Sequence, residues 1–238
     1  MTYVFDFTPI ARYWPLLLEG AWMTVWLSTI AMLGGAAVGL LGALARNAAA
    51  APLRWIAGFY VEFIRNTPFL VQLFLLFFGL PSLGISLTPE VAAQLGLIIN
   101  LGAYATEIFR AGIEAVQRGQ VEAGIALGLS RVQVFRHVIL VQALQIVWPA
   151  LTSQFVLLML GSSIVSQIST DELTAAAYFV QNESFRAFEV YLFVTAAYLV
   201  LALAYRAAFW GVALAAFPRR RAALRASVLG LLRAEGAR

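Results

Sequence analysis

Six polar side chains sit within or beside long apolar runs: Gln72, Asn100, Glu107, Gln154, Ser162 and Ser163. At membrane depth such groups are costly, so each is expected either to bond another helix or to line a solute path. Asn100 and Glu107 are seven residues apart, two helical turns, and share one helix face. Ser162 and Ser163 follow Gly161, where a helix is expected to break and leave backbone groups free to coordinate a zwitterion. For Glu107 the simpler alternative is a salt bridge to Arg110 on the next turn. A second concentration of polar residues covers 117–145, QRGQVEAGIALGLSRVQVFRHVILVQALQ, between two segments apolar enough to cross a bilayer. The chemistry expected there is recognition of something outside the membrane.

Catalysis is poorly served. The chain has no cysteine, so no thiolate nucleophile, thiolate metal ligand or disulfide is available. Its one histidine, His137, falls in the polar stretch and reads as a structural or surface residue. No Ser/His/Asp set or metal-ligand set suggests itself. All 16 lysine-or-arginine positions are arginine, so the phosphate-contacting lysine of a P-loop is missing, and no G-x-x-x-x-G-K-[ST] occurs. Any energy from ATP has to come from another protein.

The elements that hold these residues follow from composition. The chain is 62% hydrophobic and 12% charged, which excludes an ordinary soluble domain and predicts an all-α membrane protein. Uncharged runs of about 20 residues span hydrocarbon as helices, whereas a β-barrel would alternate in short segments. Five transmembrane helices are expected. The first, residues 21–45, has Trp22 and Trp26 near one end and Gly34, Gly35, Gly39 and Gly42 for close helix contact. The second joins 69–80 to a stretch reaching back through Pro68 toward Leu53, with Glu62 and Arg65 placed to pair on one face. The third opens at Thr88-Pro89-Glu90, a cap, a first-turn proline and a dipole-favoured acid, and runs to about 110. The fourth covers about 138–160, kinked or loosened at Pro149. A polar segment occupies 167–189, and the fifth span covers 190–217, interrupted by Arg206.

Arginine placement orients the spans. Arg46 and Arg54 lie between the first two; Arg110, Arg118, Arg131 and Arg136 lie between the third and fourth; Arg219, Arg220, Arg221, Arg225, Arg233 and Arg238 follow the fifth. Only Arg12 and Arg186 fall on the other face. Positive residues accumulate in cytoplasmic loops, so the N-terminus is expected outside and the C-terminus in the cytoplasm. Residues 1–19 mix aromatics, prolines and charges without a basic start, and read as an extracytoplasmic interfacial segment, not a cleaved signal. Residues 218–238 read as a basic cytoplasmic tail suited to anionic membrane lipid, not nucleic acid.

Within the polar stretch, 120–127 is expected to form a short helix, Gly128 its left-handed terminator, and Ser130 with Gln133 a capping box that starts a second helix. Val121 and Ile125, then Val132 and Phe135, present apolar faces to a partner or to the membrane-proximal core. On physics alone, an amphipathic connector and a docking element account for this segment equally well.

The run EAGIALGLSRVQVFRHVILVQAL resembles the glutamate-alanine-alanine loop of ABC importer permeases. Glu122, Ala123, Gly128 and Leu140 match that pattern; Gly124 stands where a second alanine is usual and Val141 where a proline is usual. EFIRNTPFLVQLFLLFFGLP at 62–81 and AYATEIFRAGIEAVQRGQVEA at 103–123 resemble the polar amino acid branch of those permeases, and the likeness covers nearly all of the chain from the first span to the fifth. It implies the type I ABC importer permease fold for 20–217, with coupling helices at about 117–138. In that reading Glu122, Ala123, Gly124, Leu127, Gly128, Ser130, Arg131, Val132 and Phe135 meet an ABC ATPase subunit, while the six polar residues named first line the solute path. The resemblance further implies a second permease subunit, identical or homologous, a periplasmic amino-acid-binding protein, and the bacterial inner membrane. No cofactor would be bound by this chain; ATP and Mg would sit on the partner ATPase. Relatives often carry a lysine with an aspartate or asparagine before the serine or threonine pair. Leu160 and Gly161 stand there instead, which weakens the case for a cation-preferring pocket. Amino-acid derivatives such as opines remain open as cargo. A channel working alone is the competing class, and an intramembrane enzyme the remaining one.

Overall fold

The computed structural model describes residues 3–217; the expected basic tail at 218–238 lies outside them. Within the described residues every regular element is helical. The order is α1 (Thr8–Arg12), α2 (Trp14–Arg46), α3 (Ala51–Arg65), α4 (Phe69–Phe74), α5 (Pro89–Glu114), α6 (Arg118–Ala126), α7 (Arg131–Val134), α8 (Leu140–Gly161), α9 (Leu173–Ser184) and α10 (Ala187–Ala216). A π turn at Leu75–Gly79 and a 3-10 turn at Leu80–Leu83 extend α4, a second π turn at Phe135–Ile139 joins α7 to α8, and a 3-10 segment at Ser162–Ile168 extends α8. Four stretches are long and apolar enough to cross a membrane: Trp14–Arg46, Pro89–Glu114, Arg131–Ile168 and Ala187–Ala216. The chain divides into two units, Met1–Ala202 and Leu203–Arg238. The described part of the second is helical to Ala216, without interruption at Arg206, and stacks Tyr205 one turn from Phe209.

Small residues set the closest contact. Without a hydrophobic force between helices in lipid, close packing has to hold them together. Along α2, Gly35 faces Leu101, Gly39 faces Ala105 and Gly42 faces Thr106 of α5. A Cβ on Gly39 would lie 2.4 Å from the Ala105 Cβ, so only glycine permits this approach. The partners rise together along both helices, so α2 and α5 run parallel, as first and third spans must. Gly112 of α5 repeats the device against Val147 of α8.

The first span begins earlier than the apolar run: α2 starts at Trp14, with Pro15 in its first turn, where the missing N–H costs nothing. The expected continuous second span is instead broken. Ala51–Arg65 and Phe69–Leu83 meet at a 108° bend. Pro68 cannot donate a helical hydrogen bond and forces an extended backbone before it. The carbonyls it strands are met by side chains: Asn66 Nδ2 donates to Glu62 O at 2.8 Å and Thr67 Oγ1 to Phe63 O at 2.9 Å. Glu62 and Arg65 do not pair with each other; Glu62 accepts from Asn66, and Arg65 lies over the Tyr104 ring.

The fourth span also differs. It is helical through Pro149, and the expected break at 161–163 does not occur. Ser162, Ser163 and Ser166 donate to the carbonyls three residues back, tightening the chain into a 3-10 segment that ends at Ser169, in left-handed conformation. The 167–189 segment is not simply polar. Its helix α9 buries Leu173, Ala177 and Val180 in a cluster with Leu17 and Val190. Residues 3–7 cross this end as a strap: Tyr3 donates to Glu189 at 2.5 Å, and Arg186 donates to Val4 O.

Candidate coupling hairpin and solute cavity

The α6–α7 hairpin joins α5 to the helix that becomes α8, and its turn is held by local bonds. Gly128 has φ +80, a region costly for any residue with a Cβ. Leu129 N donates to Gly124 O and Gly128 N to Ile125 O, the paired bonds of a Schellman ending. Ser130 accepts from Gln133 N while Gln133 Oε1 accepts from Ser130 N, the capping box read from the sequence. Gln142 donates to Gln120, tying the start of α8 back to α6.

Packing fixes which residues face out. Gly124 and Val134 are buried against each other; a Cβ at 124 would come within 3.1 Å of Val134 Cγ2. Glycine at this position therefore matches a valine across the hairpin. Glu122, Ala123 and Arg131 are exposed, and so are Ile125, Leu127 and Val132, with Leu127 at 82%. Phe135 is half-buried in the π turn. The chain passes through that turn into α8 with Val141 in place, and no proline interrupts the entry. His137 is exposed and its Nδ1 lies 3.0 Å from Gln133 O, so that nitrogen carries the proton.

The six polar span residues fall into three places. Gln72 belongs to the break in the second span: its amide nitrogen donates to Ile64 O at 2.8 Å and to Thr67 Oγ1 at 2.8 Å, and its oxygen accepts from Asn100 Nδ2 at 3.1 Å. Gln72 and Asn100 thus stitch the bend to α5. Glu107 and Gln154 meet elsewhere, in a cavity of about 510 Å³ among α3, α5 and α8 that also exposes Arg65, Tyr104 and Ile146. Ser162 and Ser163 are outside that cavity's wall and bond their own helix.

Charge in the cavity is unevenly committed. Glu107 accepts from Arg110 at 2.9 and 3.0 Å and faces Arg46 Nε at 3.6 Å. Arg110 also reaches Glu114 at 2.7 Å. Arg65 stacks over Tyr104 at 5.4 Å, and the Gln154 amide bonds no other described residue. Among the described residues no group of His, Cys, Asp or Glu is arranged to hold a metal ion.

One residue of consequence escaped the sequence reading. Glu172, fully buried, caps α9 by accepting from Thr174 N at 2.8 Å and Ala175 N at 3.0 Å. Its other oxygen accepts from Tyr198 of α10 at 2.6 Å and lies 3.3 Å from Thr24 Oγ1 of α2. Burial pushes its carboxyl above the usual range, opposed by these donors. An Asp-Glu pair before an apolar run was the only signal for it.

Comparison with known proteins places this geometry. The chain is 37% identical over 201 residues to the glutamine transport system permease protein GlnP of Escherichia coli (strain K12), covering 84% of this chain and 92% of that one. It is 40% identical over 161 residues to the L-cystine transport system permease protein TcyB of Bacillus subtilis (strain 168), covering 68% and 69%. The structure of an amino acid ABC transporter with histidines matches with a TM-score of 0.80 at 37% identity, over 87% of this chain and 97% of that one. An inward-facing MetNI methionine ABC transporter shares the fold at 22% identity, TM-score 0.70, over 84% and 96%. Residues 35–212 match the model of the binding-protein-dependent transport system inner membrane component, a transport permease family, and the chain belongs to that family.

Proposed function

We propose that this chain is one of two permease subunits of an ATP-driven importer in the bacterial inner membrane, handling polar amino acids delivered by a periplasmic binding protein. The observation that carries this reading is the α6–α7 hairpin, a turn locked at both helix ends whose exposed tip combines Ile125, Leu127 and Val132 with Glu122 and Arg131. An apolar cluster rimmed by charge is what a protein partner covers. That partner is the cytoplasmic ATPase, which holds ATP and Mg. Because α5 and α8 lead directly into the hairpin, displacement of the tip moves two spans. The N-terminus lies outside and the hairpin in the cytoplasm, as the arginine distribution requires.

The cavity supports a solute path. Arg65 is placed for a substrate carboxylate and Gln154 for a polar side chain. Glu107 is already balanced by Arg46 and Arg110. Its surplus of positive charge favours neutral or acidic amino acids over cationic ones. Gln72 and Asn100 serve the path indirectly by holding the bend. The docking reading is tested by Leu127→Asp: the variant is expected to insert normally but to lose co-purification with its ATPase, and undiminished co-purification contradicts it.

A further inference from the structure

At the end opposite the hairpin, α2 and α9 leave an open cleft of about 700 Å³ between them. Leu18, Trp22 and Met23 of α2 and Phe179 of α9 form apolar walls, and two carboxylates, Glu19 and Asp171, stand on the same lining. Neither carboxylate pairs with another described residue, and both are exposed. Depth follows from chain length. The uncharged stretch 21–45 is about 37 Å long as a helix, longer than a hydrocarbon core of about 30 Å. Glu19 precedes that stretch, and Asp171 follows the long span Arg131–Ile168, so both sit at headgroup level with the apolar walls of α2 below them.

Water does not fill an apolar trough at hydrocarbon depth; an acyl chain does. Two unpaired carboxylates above it repel anionic headgroups and accept hydrogen bonds from a primary ammonium, which quaternary choline cannot donate. A side chain from a water-soluble partner would have to leave water to reach the same walls. We propose that the cleft between α2 and α9 holds one phosphatidylethanolamine, its acyl chain against Trp22, Met23 and Phe179 and its ammonium on Glu19 and Asp171.

Native mass spectrometry of the full-length protein, presented with equimolar phosphatidylethanolamine, phosphatidylcholine and phosphatidylglycerol, tests this directly. Phosphatidylethanolamine is expected to be retained several-fold over the other two. The double variant Glu19→Gln with Asp171→Asn is expected to lose that preference while still holding lipid. Ala175→Phe, which fills the trough and spares both carboxylates, is expected to lower retention of all three. Equal retention of phosphatidylglycerol by the unaltered protein overturns the proposal, as does a double variant that keeps the preference. A photo-crosslinker at Trp22 that captures a protein, not lipid, in intact membranes overturns it as well.

Discussion

Glu172 shows how much one buried side chain can hold. It caps α9 and joins α2 to α10 through Thr24 and Tyr198. Glu172→Ala removes a helix cap and strands a buried tyrosine hydroxyl, so a loss of roughly 2–4 kcal/mol is expected in denaturant titrations. Its pH dependence has a definite sign. Because burial raises its folded pKa above the ordinary carboxylate value, its stabilising contribution is fully present below that ordinary value. It is lost as pH rises through the raised one. Thermal unfolding should therefore show an acid-side gain that Glu172→Gln abolishes. Gln72 works the same way at the bend. Gln72→Leu leaves the Ile64 carbonyl and the Asn100 amide without their partner, at roughly 1–3 kcal/mol each. Adding Asn100→Leu is expected to cost less than the sum of the two single variants, measurable as a double-mutant cycle.

At the scale of elements, what was legible depended on how far each signal reaches along the chain. The α6–α7 hairpin is written in adjacent residues: Gly128 needs its left-handed backbone, and Ser130 and Gln133 cap each other three residues apart. The glycines of α2 announced close packing because no other residue allows it. The bend at 66–68 was not legible as a break, because a proline is tolerated in a span whenever neighbours satisfy its stranded carbonyls. Gln72 and Asn100, 28 residues apart, are part of that satisfaction. The opposite error occurred at Ser162 and Ser163, whose hydroxyls tighten the helix where a break was expected. Glu172 was hidden in an apparently solvated segment because its partner Thr24 is 148 residues away. The packing account makes paired predictions. Gly39→Leu should abolish folded yield by driving into Ala105, whereas Gly119→Ala, in open space on α6, should be neutral or gain up to about 1 kcal/mol.

At the scale of the whole molecule, charge and hydrophobicity divide the labour. Arginines gather where the α5 and α2 ends approach the hairpin, the glutamine and asparagine that brace the second span lie deeper, and the unpaired carboxylates sit at the far end. A chain without lysine has no P-loop of its own, so its transport has to be driven through the hairpin. The most direct measurement is amino-acid uptake into proteoliposomes carrying this chain with its ATPase and binding protein, compared with Glu122→Arg in the same assembly. The predicted result is accumulation against a gradient only when ATP is supplied, reduced roughly tenfold or more by the charge reversal, which corresponds to about 1.4 kcal/mol. Uptake that proceeds equally without ATP, or that Glu122→Arg leaves unchanged, would contradict it.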